Sequence, residues 1–399
     1  MSDSGSRRLV IAQMLESDGP VGAEIMMLRL AVALRERGHD VVPVGPAAGC
    51  GWLSEQFRKR GFHPEAFVLR HPLDLRCVRD LASMLKRRGV DVVHSHEFTM
   101  AVYGTASAKW VGVPHVITMH GNQRMATRWR RRIALRAAFS FSDAVVAVSR
   151  DTKRFLDAQL DLRTDRLGVV ANGVPMPAGD RQRVRAELGM GSDEQLVFAA
   201  GSLVPRKGHA LLMRAMAAQS STPAWRLAIA GSGPERSALE TLAGDLGIAA
   251  RVHLLGHRDD IDDLLAATDI YAMPSLWEGL PLALLEAMAA GRPIVASATS
   301  GIPEAVDSEI DGLLTTPGEL NELTMAIERL RTNAGLRHDL GERALRRARA
   351  EFSIDAMATA YEQIYLQAAK RLPSRSGARE GRRGLAPTPA IDQRGERRD

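Results

Sequence analysis

The sequence predicts an α/β protein built as two doubly wound parallel-sheet domains in series. Short apolar runs such as RRLVIAQML, HDVVPVG, LVFAAGSL and RLAIAG have strand length and lack polar alternation, the pattern of strands covered on both faces of a parallel sheet. Segments with helical periodicity separate these runs throughout the chain. The alternation breaks between residues 172 and 195, where Asn172-Gly173, Pro175, Pro177 and Gly179 cluster ahead of a polar helix and GSDEQ. Such a cluster of turn formers reads as a linker between two domains.

In the first series RRLVIAQML is a strand, ESDGPVG a loop, and AEIMMLRLAVALRERG a helix that ends at Gly38. Strand HDVVPVG follows, then a helix near Leu53 to Arg60, strand AFVL, a helix near Leu73 to Arg88 and strand DVVH. A helix near Met100 to Trp110, strand PHVITM, a helix near Arg128 to Phe139 and strand AVVAVS complete the series. The second series runs LVFAAGSL, a helix from His209, RLAIAGSGP, helix ERSALETLAGDLG, RVHLLG, helix DDLLAAT and DIYAMP. It continues with a helix over LPLALLEAMAAG, strand PIVAS, a short piece at GLLTT, and helices over 319–332, 336–349 and 354–369. No fixed period recurs, so the two halves are alike in architecture without being a sequence repeat.

With 399 residues the chain has room for two sizeable cores, and 45% apolar with 25% charged residues is the composition of a globular enzyme. No run approaches the roughly eighteen apolar residues of a membrane span, and the first residues carry too short an apolar run for a signal peptide. The expected location is the cytoplasm. Cys50 and Cys77 have no metal-ligand or redox spacing and read as reduced structural thiols. Residues 1–180 hold 26 Lys and Arg against 18 Asp and Glu, whereas residues 181–370 hold 19 against 25. A basic first half suits an anionic surface or acceptor. Nucleic acid is not expected, because the arginines are not interleaved with stacking aromatics. Residues 371–399 are rich in Gly, Pro and Arg and are expected to be a disordered basic tail.

Ligands of open parallel sheets bind beyond the carboxyl ends of the strands. Gly22 follows the first strand, where a missing side chain lets backbone approach a ligand, or where it is simply a turn residue. His94, His96 and His120 lie at strand ends, and His120-Gly121 is the better candidate for contact with a reacting group, the alternative being a loop histidine paired to backbone. His94-Ser95-His96 has no accompanying acid or cysteine set, so a metal is not expected. Six arginines fall between Arg124 and Arg136, with Met125, Trp129 and Ile133 at four-residue spacing. Such a helix either packs that apolar line on its own domain or lies in an anionic membrane interface.

In the second half, Arg206 and Lys207 follow a strand in the glycine-flanked loop GSLVPRKGH, where two cations either would neutralise a diphosphate or are simply solvated loop charges. Gly231 and Gly233 open a dinucleotide-like fingerprint, but Arg236 takes the third glycine's place and weakens a nicotinamide site. HRDDIDD, residues 257–263, reads as a helix start with carboxylates at the positive end of the dipole. The stretch Ser275 to Glu304 carries Glu278 and Glu286, with a helix expected to open at Leu280 or Pro281 and stop at Gly291. A helix start presents unpaired N–H groups to an anion, and the two acids read either as hydroxyl acceptors for a sugar or as surface decoration on a core helix.

Taken together these pieces resemble the retaining, nucleotide-sugar-dependent glycosyltransferases of family 4, also called glycosyl transferases group 1. The matching segments run in the family's order: VGAE with RGHDV, DVVHSH, HGN, VVANGV, GSLVPRKG, AGSGPE, LLGHRDD, MPSLWEGLPLALLEAMAAGRPIVAS, SGIPEAV and the final FSIDAMATAYEQIY. The resemblance implies the GT-B arrangement of two facing Rossmann-like domains. Residues 7–180 would be the acceptor-side domain, 181–351 the nucleotide-sugar domain, and 352–370 a helix crossing back to the first.

By the same resemblance Glu278 would bind the donor sugar's hydroxyls, Glu286 the ribose, and the backbone of Gly279, Leu280, Pro281, Leu282 and Ala283 the sugar and phosphates. Lys207 would neutralise the diphosphate, Gly22 would approach it, His120 would border the reacting sugar, and the backbone near Arg258 would address the base. His120, Glu278 and Lys207 are therefore the candidate catalytic residues. Family members commonly carry arginine directly after the glycine of the phosphate loop; here Ser202 stands there, and Arg206 is expected to supply the charge. No cofactor or metal is expected beyond the nucleotide-sugar donor. The expected acceptor is a glycan or lipid-linked hydroxyl, and the Arg124–Arg136 segment would rest on an anionic membrane surface at the inner face of the cell membrane. The alternatives are a sugar-nucleotide epimerase of similar shape and a non-catalytic membrane-surface binding module.

Overall fold

The computed structural model describes residues 7–48, 51–121, 129–160, 167–222 and 224–370. In the first half, strands β1 (Val10–Met14), β2 (Asp40–Pro46), β3 (Glu65–Phe67), β4 (Val92–His96), β5 (His115–Met119), β6 (Ala144–Ala147) and β7 (Leu167–Val169) form one sheet. Their order is β3-β2-β1-β4-β5-β6-β7 and every pairing is parallel. Helices α1 (Gly22–Glu36), α2 (Trp52–Lys59), α3 (Leu75–Arg88), α4 (Glu97–Val111), α5 (Trp129–Phe141) and α6 (Arg150–Leu160) make the crossovers.

After α7 (Arg181–Glu187), strands β8 (Gln195–Ala200), β9 (Trp225–Ala230), β10 (Val252–Gly256), β11 (Ile270–Met273), β12 (Ile294–Ser297) and β13 (Leu313–Thr315) form a second parallel sheet ordered β10-β9-β8-β11-β12-β13. Its helices are α8 (His209–Ala217), α9 (Arg236–Asp245), α10 (Ile261–Ala267), α11 (Leu282–Ala289), α12 (Ile302–Ala305), α13 (Leu320–Thr332) and α14 (Ala334–Glu351), and α15 (Ile354–Ala369) ends the described chain.

Local chemistry sets these boundaries. β1, β4 and β5 are buried at every position, as expected for apolar runs inside a doubly covered sheet. Asp74 caps α3 by accepting from the amides of Arg76 and Cys77, and Asp180 caps α7 in the same way. Gly89 and Gly112 stop α3 and α4 in the left-handed conformation. The elements with no counterpart in the sequence reading are α6, β7 and α12; β7 is a three-residue edge strand with two exposed positions and α12 is a single turn of four residues, both too short for a periodic pattern to reveal them. Cys77 is buried and its thiol is pushed up to about 11 by that burial, which suits an inert core residue; Cys50 lies outside the described residues.

Each sheet reverses its strand order once, at β1/β4 and at β8/β11, and loops at such switch points form ligand crevices. The two halves meet there. Val148 and Val174 share a buried apolar cluster with Leu280, Leu282, Leu285 and Ile302. The Glu304 carboxylate accepts from the amides of Arg150 and Asp151, both at 2.6 Å, so an acid of the second half caps α6 of the first. α15 packs back on α1 and places Met357, Ala358, Tyr361 and Tyr365 in the same core cluster as Leu9, Ile11 and Val116.

Candidate functional site

The loop after β11 carries the site's central carboxylate. Glu278 is buried, and its Oε1 accepts from Lys207 Nζ at 2.5 Å and from Ser275 Oγ at 2.8 Å. Arg206 Nη1 lies 3.6 Å from the other oxygen, with its guanidinium 5.3 Å above the Trp277 ring. Both cations stand on the short turn Pro205–Lys207 after β8. The turn fits because two glycines make room: Gly201 leaves space for the Lys207 stem, and a Cβ at Gly208 would lie 2.1 Å from Pro274 O.

Sequence periodicity opens the next helix at Leu280 or Pro281, whereas α11 begins at Leu282 with Pro281 as an extended N-cap residue. The loop ahead of it is pinned from outside: Asn172 Nδ2 donates to Leu280 O at 2.9 Å, and Gly301 N donates to Gly279 O at 3.0 Å. These bonds hold Gly279 to Pro281 out of the helix and leave the first-turn amides at Leu282 and Ala283 as its positive end. Glu286 sits one turn further on, with Oε1 2.5 Å from Arg29 Nη2 of α1.

The first half supplies the facing wall. A Cβ at Gly279 would lie 2.6 Å from His120 O, and one at Gly121, whose φ is +97°, would lie 2.9 Å from Gly279 Cα. Two glycines therefore let the lips of the cleft touch backbone to backbone. The His120 ring contacts His96, Nε2 to Nδ1 at 3.0 Å, and its backbone N–H donates to Glu97 Oε1 at 3.0 Å. Burial lowers His120 to about 4 and raises Glu97 to about 7, so both are uncharged over part of the neutral range. Gly22 heads α1 opposite Leu282, whose Cδ1 would be 3.9 Å from a Cβ placed there. That is ordinary contact, so Gly22 is adjacent to the cleft without being forced to be glycine by any protein neighbour.

Glu278, Lys207, Arg206, Gly279, Leu280, Pro281, Leu282, Ala283, Glu286, His120 and Gly22 are thus brought to one cleft. For Arg258, on the loop after β10, the expected contact is through backbone. Its guanidinium is held by Glu187 and Asp260, which leaves only its backbone to face a ligand. HRDDIDD does start helix α10, and Asp260 and Asp263 are also bound by Arg183 of α7, so these acids tie two helices together. His94 is buried between Thr118 and Tyr365, and no group of three or more His, Cys, Asp or Glu among the described residues is arranged to hold a metal ion.

Sequence reasoning passed over Arg29, Glu97, Ser275 and Ser300. Ser300, at φ +51°, places its Oγ 3.4 Å from the Glu278 amide. Glu97 and Ser300 each follow a strand end, which is the one signal that could have marked them; Arg29 lies two turns inside α1 and has none.

Of the Arg124–Arg136 segment, residues 124–128 lie outside the described residues. In α5 the side chains of Leu135, Ala138 and Phe139 are buried, while Trp129 and Ile133 are 66% and 61% exposed beside Arg130, Arg132 and Arg136. Trp129 and Ile133 do not pack on their own domain, because the stripe of Leu135, Ala138 and Phe139 that does lies on another side of the helix. No helix among the described residues is long and apolar enough to cross a membrane. The tail 371–399 lies outside the described residues.

Two parallel-sheet lobes facing across a cleft, with cations, a buried carboxylate and a helix start on one wall, define a GT-B architecture. The family model for glycosyl transferases group 1 matches residues 180–347, and that for glycosyltransferase family 4 matches residues 20–176. The chain belongs to the group 1 glycosyltransferases. It is 28% identical over 276 residues to a UDP-Gal:alpha-D-GlcNAc-diphosphoundecaprenol alpha-1,3-galactosyltransferase of Escherichia coli, covering 64% of this chain and 70% of that one. To the D-inositol 3-phosphate glycosyltransferase of Mycobacterium marinum it is 31% identical over 299 residues, covering 68% of this chain and 63%, less than two thirds, of that one. The solved structure of Anabaena HepE in complex with UDP and glucose superposes with a TM-score of 0.79 at 23% identity, over 89% of this chain and 99% of that one.

Proposed function

We propose that the chain transfers a hexosyl group from a nucleoside diphosphate sugar to an acceptor hydroxyl with retention of anomeric configuration, in polysaccharide, glycolipid or lipid-linked glycan synthesis. The observation that carries this reading is the Lys207–Glu278 pair on one wall of the cleft, facing His120 and Gly121 on the other. Group membership and the ligands named for the similar structure support a nucleotide sugar as donor.

In this reading Glu278 accepts from donor sugar hydroxyls and Glu286 from the ribose, while Lys207, Arg206 and the start of α11 stabilise the departing diphosphate. The bond from the anomeric carbon to the diphosphate oxygen breaks as the acceptor oxygen bonds to that carbon on the same face. The acceptor's proton passes to the leaving phosphate oxygen. Rate then comes from positioning and charge stabilisation, with no protein nucleophile and no metal. Closure of lobes 7–180 and 181–351 over the donor, with 352–370 bridging them, excludes water. The exposed Trp129 and Ile133 among arginines fit an anionic membrane surface at the inner face of the cell membrane, where a lipid-linked acceptor would be met.

A thermal-shift screen against nucleoside diphosphates, followed by transfer assays with the stabilising donor, tests this directly. The expected product has the donor's anomeric configuration, and turnover persists in EDTA. Loss of turnover in EDTA with recovery on adding magnesium would overturn the metal-free mechanism. Conversion of the donor alone to an epimer would replace the transferase reading.

A further inference from the structure

Two consecutive residues at the β4 to α4 junction hold His120 at both ends. His96 Nδ1 meets the ring at Nε2, and the Glu97 carboxylate accepts from the backbone N–H. The junction is strained, since Glu97 has φ +63°, a left-handed conformation rare outside glycine. Such strain persists where surrounding structure fixes a geometry.

Only one proton fits between the facing nitrogens of His96 and His120. Burial pushes both rings below the usual imidazole range, His96 well below and His120 to about 4, so at neutral pH each carries a single N–H. There are two ways to place them. If His120 donated through Nε2, His96 would have to carry its proton on its own Nε2, which is buried with no partner among the described residues. An orphaned buried donor costs about 1–3 kcal/mol. If His96 donates through Nδ1, its buried Nε2 is only a lone pair, and buried orphan N–H groups are rarer than orphan acceptors. The second arrangement is favoured, and it leaves the His120 proton on Nδ1, which has no partner among the described residues.

We propose that His96 is a positioning residue that fixes His120 as the Nδ1–H tautomer, so that His120 offers the bound sugar a hydrogen-bond donor and not a general base. The proposal rests on the reading that His120 borders the reacting sugar. Support for the ring orientation comes from behind: the His94 ring lies 4.2 Å from that of His96, and His94 is itself gripped by Tyr365 OH at 2.7 Å and Thr118 Oγ1 at 2.8 Å. Tyr361 OH reaches the same threonine at 2.9 Å, so α15 braces the row. A fixed donor suits a reaction whose proton leaves on the phosphate, because a basic imidazole nearby would compete for it.

The test uses long-range 15N–1H spectra of the full chain labelled at histidine, with His120→Gln to assign the signals. The expected spectrum of the ligand-free protein has a protonated Nδ1 and an unprotonated Nε2 at His120. His96→Asn, which can place an amide donor where Nδ1 stood, should keep this tautomer and most of the turnover. His96→Asp places an acceptor there; it should move the proton to Nε2, lower kcat tenfold or more, and add an ionisation near neutral pH to the rate profile. A wild-type spectrum with the proton on Nε2 overturns the proposal whether or not any variant folds, as does a His96→Asp protein with unchanged tautomer and kcat. The expected spectrum together with undiminished turnover in His120→Gln would instead sink the placement of His120 beside the sugar, leaving the tautomer assignment intact.

Discussion

Arg29 of the first lobe points its Nη2 at Glu286 of the second, 2.5 Å from Oε1, and both side chains are largely buried. In the proposed reaction Glu286 is the ribose anchor, so the donor must share this carboxylate with Arg29 or displace it. Arg29→Met keeps the apolar stem and removes the competing charge. The expected outcome is several-fold tighter nucleoside diphosphate binding by calorimetry, together with a lower melting temperature from the lost bridge between lobes. Weaker binding would show that Arg29 itself holds the nucleotide.

Lys207 and Glu278 should behave as a unit. Lys207→Met or Glu278→Gln alone is expected to lower kcat by about 10²–10³, the range found when one preorganised charge-stabilising contact is removed. The double variant should be little worse than either single one, because each loss already strands the other group. Initial rates at saturating donor decide this, and fully multiplicative losses would argue for independent roles.

Gly279→Ala would set a methyl 2.6 Å from His120 O, backbone against backbone. Neither lip can yield by rotating a side chain, so the lobes must part. The secondary structure should be unchanged by circular dichroism, the radius of gyration in solution should rise, and kcat/KM should fall at least tenfold. An unaltered radius of gyration with full activity would mean that the lips do not touch in the working enzyme.

Burial lowers the pKa of His94, His96, His115, His120 and His209. The unfolded chain takes up these protons below about pH 6.5, while the folded chain resists until near pH 4 or lower. Their contribution to stability is therefore fully present above pH 6.5 and is lost as pH falls toward 4. Melting temperatures should drop across that window, and His115→Gln, away from the cleft, should flatten the slope. An equally steep profile in that variant would remove His115 from the account.

The exposed pair on α5 gives a membrane test that leaves the cleft untouched. Trp129→Ser with Ile133→Ser should weaken sedimentation with anionic vesicles, and raised salt should weaken binding of the unsubstituted chain. Binding that ignores both changes would assign the surface elsewhere.

The architecture was legible because it depends on local pattern: uninterrupted apolar strands and amphipathic helices specify a covered parallel sheet wherever they occur. The candidate residues in the cleft were legible for a related reason, since ligand loops follow strand ends, and Lys207, Glu278 and His120 all stand there. What could not be read is pairing across the lobes. Arg29 meets Glu286 and Glu304 caps α6 only because two sheets face each other, and separations of 257 and 154 residues leave no trace in spacing. The outward face of Trp129 and Ile133 was undecided for the same reason: two apolar stripes compete on α5, and tertiary packing chooses between them. The start of α11 slipped toward the C-terminus because Asn172 and Gly301, distant in sequence, pin the loop before it.

The helix that braces the histidine row also sets an order of events during synthesis. Met357, Tyr361 and Tyr365 fill a core that otherwise consists of residues from the first half, among them Leu9, Ile11, Met26 and Val92. The first lobe cannot close that core until α15 has left the ribosome, roughly 10–40 s after β7 at ordinary elongation rates. During that interval an apolar face waits uncovered for its last strip. A chain cut short before residue 354 would lack Met357, Tyr361 and Tyr365 from that core and leave an apolar face open, the kind of surface on which chaperones and proteases act.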